Sequence, residues 1–305
     1  MNLSEIETFL AIVNTKSISK TADLLFLSQP TVSHRLSSLE TELKFPLVIR
    51  KKGHKQIELT PKGQEFITIA EHWMSLWKET QALQQNSGRL FLTIGCTDSM
   101  NVALFAGLYR QILDSDINMD ISIETHQSSE LYGILNNNDI DIGFVYHQLH
   151  YKNIMTEKIF EEKLYLVQSE NPVLKKTKVH TDELDSSKEL FLSWDDNFQL
   201  WHDRWLADSP RPHISADTIT LLNRIWTHDE CWMVAPESVI LELSRFRPLY
   251  ISELENEPPK RVCYRIKNKY PKLTSEKAVS LFEDMMDLYL ENWESKIPVG
   301  EIIGG

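Results

Sequence analysis

Residues 28–43, SQPTVSHRLSSLETEL, place two patterns on one helix. Val32, Leu36, Leu39 and Leu43 recur at i, i+4, i+7 and i+11 as an apolar stripe. Gln29, Ser33 and Ser37 recur at i, i+4 and i+8 on another face, flanked by His34 and Arg35. Ser28 is a natural N-cap, because its hydroxyl can accept from a free backbone N–H of the first turn. Pro30 is tolerated there, where its missing N–H costs nothing. Such a helix packs on one side and presents the other. Upstream, Leu3, Ile6, Phe9, Leu10 and Val13 form a helical stripe that Thr15-Lys16-Ser17 interrupts. Ile18, Ala22, Leu25 and Phe26 can face inward from a second short helix, and Leu27-Ser28 is a turn. Helix, tight turn, then a helix with a polar N-terminal face is helix-turn-helix geometry. Short side chains let that face approach a major groove closely, where Gln29 can pair with adenine edges and Ser33 with several bases.

The residues that follow extend this unit. Leu47 to Arg50 and Lys55 to Leu59 predict two short strands around the basic turn Lys51-Lys52-Gly53-His54. A hairpin there would be a wing, with Lys and Arg on phosphates or in the minor groove. The whole chain of 305 residues carries a net charge of −12, which argues against nucleic acid. The distribution reverses that inference. Residues 1–88 hold ten Lys/Arg against nine Asp/Glu, and residues 89–305 hold 22 against 35. The acid belongs to the larger part, and charge asymmetry of this kind suggests a small DNA-facing unit joined to a larger one.

From Thr60-Pro61 to about residue 86 the chain has no breaker beyond Gly63. Phe66, Ile69, Ala70, Trp73, Leu76, Trp77, Thr80 and Leu83 form a wide apolar seam. A helix of about 26 residues would run roughly 39 Å, and a seam of this kind usually packs on a partner helix. Gln84 to Gly88 has the composition of a hinge.

Beyond it the pattern becomes alternating strands and helices. Strands are expected at Leu90–Ile94, 120–124, 140–146, 163–168, 190–194, 231–235 and 262–266. Helices are expected through Leu104, Leu108 and Ile112, through Leu131 to Leu135, at 197–207, at 219–226, and at 274–294 with Leu281, Met285, Leu288 and Tyr289 inward. Strand-helix repetition implies a largely parallel α/β sheet covered by helices. Ligands of such sheets sit beyond the carboxyl ends of the strands. Thr97 and Ser99 lie in the first loop of that kind, where a helix N-terminus can seat a carboxylate or other anion. Gln127, Ser128 and Ser129 lie in the second, Tyr146 and His147 end the third strand, and Ser193 and Trp194 end a strand of a second lobe. Thr218 precedes a helix of that lobe.

The segment SISKTADLLFLSQPTVSHRLSSLETEL, followed by FPLVIRKKGHKQIELTPKG, resembles the N-terminal domain of LysR-type transcriptional regulators. SQP opens the third helix, LE closes it, and PL, R and LTPKG follow in family order. NNNDIDIGFV, SENP and WMVAPESV resemble segments of the family's effector-binding part, so the resemblance extends, more loosely, over the remainder. It implies a winged helix-turn-helix over 1–60, a linker and dimerisation helix over 61–88, and a two-lobed, periplasmic-binding-protein-like effector domain over 89–305. The lobes are expected at about 89–161 with 267–305, and about 162–266. It implies groove contacts from Ser28, Gln29, Pro30, Thr31, Ser33, His34 and Arg35, and backbone contacts from Arg50, Lys51, Lys52 and Lys55. His34 stands where arginine is frequent. Effector contacts are implied at Thr97, Ser99, Gln127, Ser128, Ser129, Tyr146, His147, Ser193, Trp194 and Thr218. Asp229 and Cys231 fall where small glycines are frequent. Double-stranded DNA, a small-molecule effector and a homodimer or homotetramer are the expected partners.

Other chemistries find little material. No apolar run approaches the ~18 residues of a membrane helix, and the first ten residues have no basic start for a secretory signal, so a cytoplasmic protein is expected. Three cysteines without C-x-x-C spacing argue against a disulfide framework or zinc ribbon. His228-Asp229-Glu230-Cys231 offers ligand types, but adjacent residues rarely converge on one ion. His202 and Asp203, between Trp201 and Trp205, suit a surface helix better than a site. Cys96 has Asp98 nearby, where a reactive thiol needs an electropositive setting. No hydrolase, zinc-protease or P-loop motif occurs. No enzyme, no cofactor and no metal is therefore expected. The alternative is a two-lobed solute-binding or enzymatic domain whose helix-turn-helix serves protein contacts.

Overall fold

The computed structural model describes residues 1–49, 57–84, 89–206, 214–272, 274–293 and 297–304. Arg50, Lys51, Lys52 and Lys55 lie outside them. The chain forms two compact units, Met1–Gly88 with Asn137–Asp139, and Arg89–Asn136 with Ile140–Gly305.

The first unit runs α1 (Leu3–Thr15), α2 (Ile18–Leu24), α3 (Gln29–Leu43), β1 (Val48–Ile49), β2 (Glu58–Leu59) and α4 (Pro61–Gln84). Asn2 and Glu5 form a capping box at the start of α1, and Lys16 ends that helix in the left-handed region. Ile6, Phe9, Ile12, Ala22, Val32, Leu36 and Leu39 make the core, with Phe66 and Ala70 from α4. Glu40 ties the wing to α3: its Oε1 accepts from the N–H groups of Leu47 (2.8 Å) and Val48 (3.2 Å). Thr60 caps α4 by accepting from the Gly63 N–H at 2.9 Å. A Cβ on Gly63 would lie 2.0 Å from the Leu47 carbonyl oxygen, so the LTPKG glycine is required by the close approach of α4 to that strand. β1 and β2 pair antiparallel, as a wing requires.

The second unit runs β3 (Leu90–Cys96), a π-helical turn (Met100–Leu104), α5 (Ala106–Leu113), β4 (Met119–Thr125), α6 (Ser128–Asn136), β5 (Ile142–Val145), β6 (Ile154–Glu162), β7 (Leu164–Ser169), β8 (Lys178–Val179), β9 (Leu190–Phe191), α7 (Asp196–Trp205), β10 (Ile214–Ser215), α8 (Ile219–Ile225), β11 (Trp232–Pro236), α9 (Glu237–Leu243), β12 (Leu249–Leu254), β13 (Arg261–Asn268), α10 (Glu276–Glu291) and β14 (Ile302–Ile303). Among the described residues two five-stranded sheets carry it, in the orders β4-β3-β5-β13-β6 and β11-β7-β12-β14 with β8 beside β12, and β9 and β10 form a separate parallel pair.

Three expectations are corrected by this arrangement. The sheets are not largely parallel: β3 pairs parallel with β4 and β5, but β13 runs antiparallel to β5 and β6. In the second sheet β7 is antiparallel to both β11 and β12. The lobe bounds also differ. β13 already lies in the first sheet, and β14 joins the second by pairing with β12, so the end of the described chain belongs to lobe II rather than lobe I. On α10 the buried face is Ala278, Val279, Phe282 and Met286, whereas Leu288 is 61% exposed. Phe282 and Met286, each one position after Leu281 and Met285, are fully buried in the core with Phe144, while Met285 and Tyr289 pack half-buried against that core as expected.

Candidate functional site

The first site is the outer face of α3. Ser28 is the N-cap, and its hydroxyl accepts from the Thr31 N–H at 3.3 Å. Pro30 sits in the first turn, as its ring demands. Ser28, Gln29, Pro30 and His34 are exposed, and Thr31 and Ser33 half-buried. The Gln29 amide reaches back to the Ser19 hydroxyl at 3.3 Å, which links the polar face to α2. Arg35 is half-buried and directs Nη1 to Thr8 Oγ1 at 3.4 Å, towards α1. Ser38 donates to Glu5 Oε1 at 2.6 Å, and this bond holds the Glu5 carboxyl below the usual range. Phe26 does not face inward as expected: it lies in the turn before α3, left-handed (φ 55°) and 95% exposed. Nothing in the first helices requires a bulky apolar residue there.

The second site is a cleft of about 400 Å³ in the second unit. The carboxyl ends of β3, β4 and β5 deliver Thr97 and Ser99, Gln127 to Ser129, and Tyr146 with His147. Segments of the other lobe add Phe191, Ser193, Trp194 and Asp195. Nine of the ten expected contacts line it. Thr218 does not: it N-caps α8 without a side-chain bond and stands outside the lining.

Arg261 lies at the base of the cleft, and no sequence pattern singles it out. It opens β13, is 3% exposed, and stacks its guanidinium 3.2 Å from the Tyr146 ring centroid and 5.1 Å from that of Trp194. Its Nη2 donates to Ser99 Oγ at 2.9 Å and to the Trp194 carbonyl at 3.2 Å. Glu162 stands behind it, with Oε1 3.8 Å from Nη1 and Oε2 accepting from the Ser238 N–H at 2.9 Å. Burial pushes the Glu162 carboxyl up, and Arg261 and Ser238 pull against it. Asp98, in sequence only a neighbour of Cys96, has a part of its own in the fold. Its Oδ2 accepts from the Ile219 N–H at 3.1 Å, joining the loop after β3 to the start of α8. Burial raises its pKa, and the nearby Asp217 adds to the rise. The indole N–H of Trp194 donates to the Val234 carbonyl at 2.7 Å, which fixes the ring in the wall.

Cys96 is fully buried and its thiol is pushed well up by that burial, so it is no ready thiolate. Glu230 pairs with Lys188 instead of joining a ligand set. Among the described residues no group of three or more His, Cys, Asp or Glu is placed to hold a metal, and no helix is long and apolar enough to cross a membrane. His202 turns inward: its Nε2 lies 2.9 Å from Oε1 of buried Glu189, a core pair rather than the surface residue expected.

Residues 3–64 match the family described as bacterial regulatory helix-turn-helix protein, lysR family, and residues 84–282 match the LysR substrate binding domain. The probable RuBisCO transcriptional regulator of Phaeodactylum tricornutum is 28% identical over 194 residues, which are 59% of this chain. The match spans about 60% of that relative's length. Two solved structures share the fold. A cysteine-to-aspartate variant of full-length OxyR from Pseudomonas aeruginosa superposes with a TM-score of 0.62 at 18% identity, covering 98% of this chain and 99% of that one. CbnR, a LysR family transcriptional regulator, gives a TM-score of 0.63 at 16% identity, covering 97% and 100%.

Proposed function

The chain belongs to the LysR family, and from that premise we propose that it is a DNA-binding transcriptional regulator whose cleft in the second unit receives a small-molecule effector. The observation that carries the first half is the polar start of α3, where Gln29, Ser33 and His34 stand outside the core within one turn and a half of helix. A recognition helix reads bases from such residues at its N-terminus. The proposed groove-facing set is Ser28, Gln29, Pro30, Thr31, Ser33, His34 and Arg35, with Arg50, Lys51, Lys52 and Lys55 on phosphates. Arg35, turned towards Thr8, would support the helix or release to a phosphate on binding.

The second half rests on the convergence of loops from both sheets on one polar cleft. Thr97, Ser99, Gln127, Ser128, Ser129, Tyr146, His147, Ser193 and Trp194 are its proposed contacts, with Arg261 added. An effector there would act by preferring one arrangement of the lobes over another. Ile69, Leu76 and Trp77 of α4 remain exposed, and they support pairing with a second copy through that helix. DNA as partner sets the place of action, and a cytoplasmic location follows from that reading.

Salt dependence tests the regulator reading. Fluorescence anisotropy with a genomic fragment should show affinity falling by ~10³-fold or more between 50 and 200 mM salt, as several phosphate contacts require. Binding indifferent to salt would contradict it. Ser99→Ala should blunt the effector response while leaving apo DNA binding intact, and an unaltered dose–response would remove that loop from the site.

A further inference from the structure

The cleft is unevenly charged. Asp98, Asp195, Asp196 and Asp217 line it against the guanidinium of Arg261. None of the four has an ion-pair partner among the described residues. Asp98 and Asp195 each commit one oxygen to a backbone N–H, of Ile219 and Phe198, and leave the other open. Asp196 and Asp217 are exposed to the cleft. Like charges lining one cleft repel, and a bound cation reduces that cost.

The base of the cleft lacks acceptors. Arg261 is almost wholly buried, yet its Nε and Nη1 make no hydrogen bond. Glu162 balances its charge from behind at 3.8 Å, beyond hydrogen-bond distance. The Tyr146 hydroxyl and Thr97 Oγ1 are buried and unpartnered beside it. Guanidinium and hydroxyl protons gathered without an acceptor are what a carboxylate satisfies.

We infer that the effector is a small zwitterion of the amino-acid class, its carboxylate on Thr97, Tyr146 and Arg261 and its ammonium facing the aspartates. The inference rests on the proposal that this cleft is the effector site. A simple carboxylate would leave four aspartates uncompensated, and a simple polyamine would leave the buried donors of Arg261 unmet. A cavity of about 400 Å³ holds a molecule of amino-acid size with accompanying water.

Isothermal titration of the full chain with each standard amino acid is the test, followed by the carboxylate-only and amine-only analogues of any that bind. At least one amino acid should bind, and both analogues should bind about tenfold or more weakly. Asp217→Asn and Asp196→Asn, both at exposed positions, should each weaken the amino acid several-fold. The zwitterion assignment is overturned if no amino acid binds, if a carboxylate-only analogue binds equally well, or if Asp217→Asn strengthens binding. A carboxylate whose binding is lost in Thr97→Val would leave the cleft as the effector site and refute only the class. Binding indifferent to both Thr97→Val and Asp217→Asn would count against the cleft itself.

Discussion

On α3, Gln29, Ser33 and His34 come from six consecutive residues and stand clear of the core, whereas the cleft draws Thr97, Tyr146, Ser193 and Arg261 from separate strands and loops. The first surface needs only a helix with the correct cap and an apolar stripe on its other side. The second needs two sheets brought into register, a buried ion pair and a set of loop ends. The contrast separates how each should respond to mutation. Changes on α3 should alter recognition and spare stability, while changes at the base of the cleft should do both.

The largest expected effect is at Arg261. Arg261→Ala would leave Glu162 buried without its counter-charge and should cost about 3 kcal/mol or more in urea unfolding. Arg261→Met combined with Glu162→Leu should recover most of that loss, because replacing both charges by apolar groups avoids the unpaired one. A double variant as unstable as the single one would mean that Arg261 acts through Ser99 and Trp194 rather than through Glu162.

Gln29→Ala provides the opposite case. Discrimination against the wrong base at one position should fall by ~1–3 kcal/mol, with the unfolding midpoint unchanged and non-specific binding retained. Equal base preference in the variant would remove Gln29 from the readout. A smaller effect is expected at Phe26, whose left-handed backbone costs about 1–2 kcal/mol for a residue of its kind. Its side chain is 95% exposed, so little packing offsets that cost. Phe26→Asn should therefore raise stability by about 1 kcal/mol, measured by chemical denaturation. If stability falls instead, Phe26 packs on something in solution.

Asp98 brings the comparison to pH. Its folded carboxyl lies above the usual value, through burial and Asp217, so ionisation at neutral pH works against the fold. Stability lost to this group is regained as pH falls through the raised pKa. Asp98→Asn should then raise the melting temperature at neutral pH, and the advantage should shrink towards acid pH. An advantage that does not change with pH would point to the Ile219 hydrogen bond instead.

The same contrast explains what is legible in the sequence. The helices of the first unit follow from caps and stripes within a few residues of each other, and Ser28, Val32, Leu36 and Leu39 take their expected places. Strand order alone places the loops after β3, β4 and β5, and it brings Thr97, Gln127 and Tyr146 to one cleft. Arg261 is not legible, because nothing near it in the chain marks it. Its partner Ser99 is 162 residues away, and local periodicity carries no information at that range. The lobe of the tail is hidden for the same reason: β14 has its partner in β12, which no spacing predicts. On α10 the expected stripe holds at Met285 and Tyr289 but misses the centre of the core, because Leu281, Phe282, Met285 and Met286 offer two adjacent apolar rows. Packing against Phe144 chooses between them.

Capture of genomic DNA fragments by the purified full-length protein at physiological salt, run in parallel with a Gln29→Ala, Ser33→Ala double variant, tests whether the start of α3 reads DNA sequence. The native protein should give a small number of sharp sites that are lost in the variant, with diffuse background binding retained. Identical sharp sites in both would contradict the assignment of the reading face to the start of α3. A featureless map for the native protein, persisting when amino acids are supplied, would contradict the regulator itself.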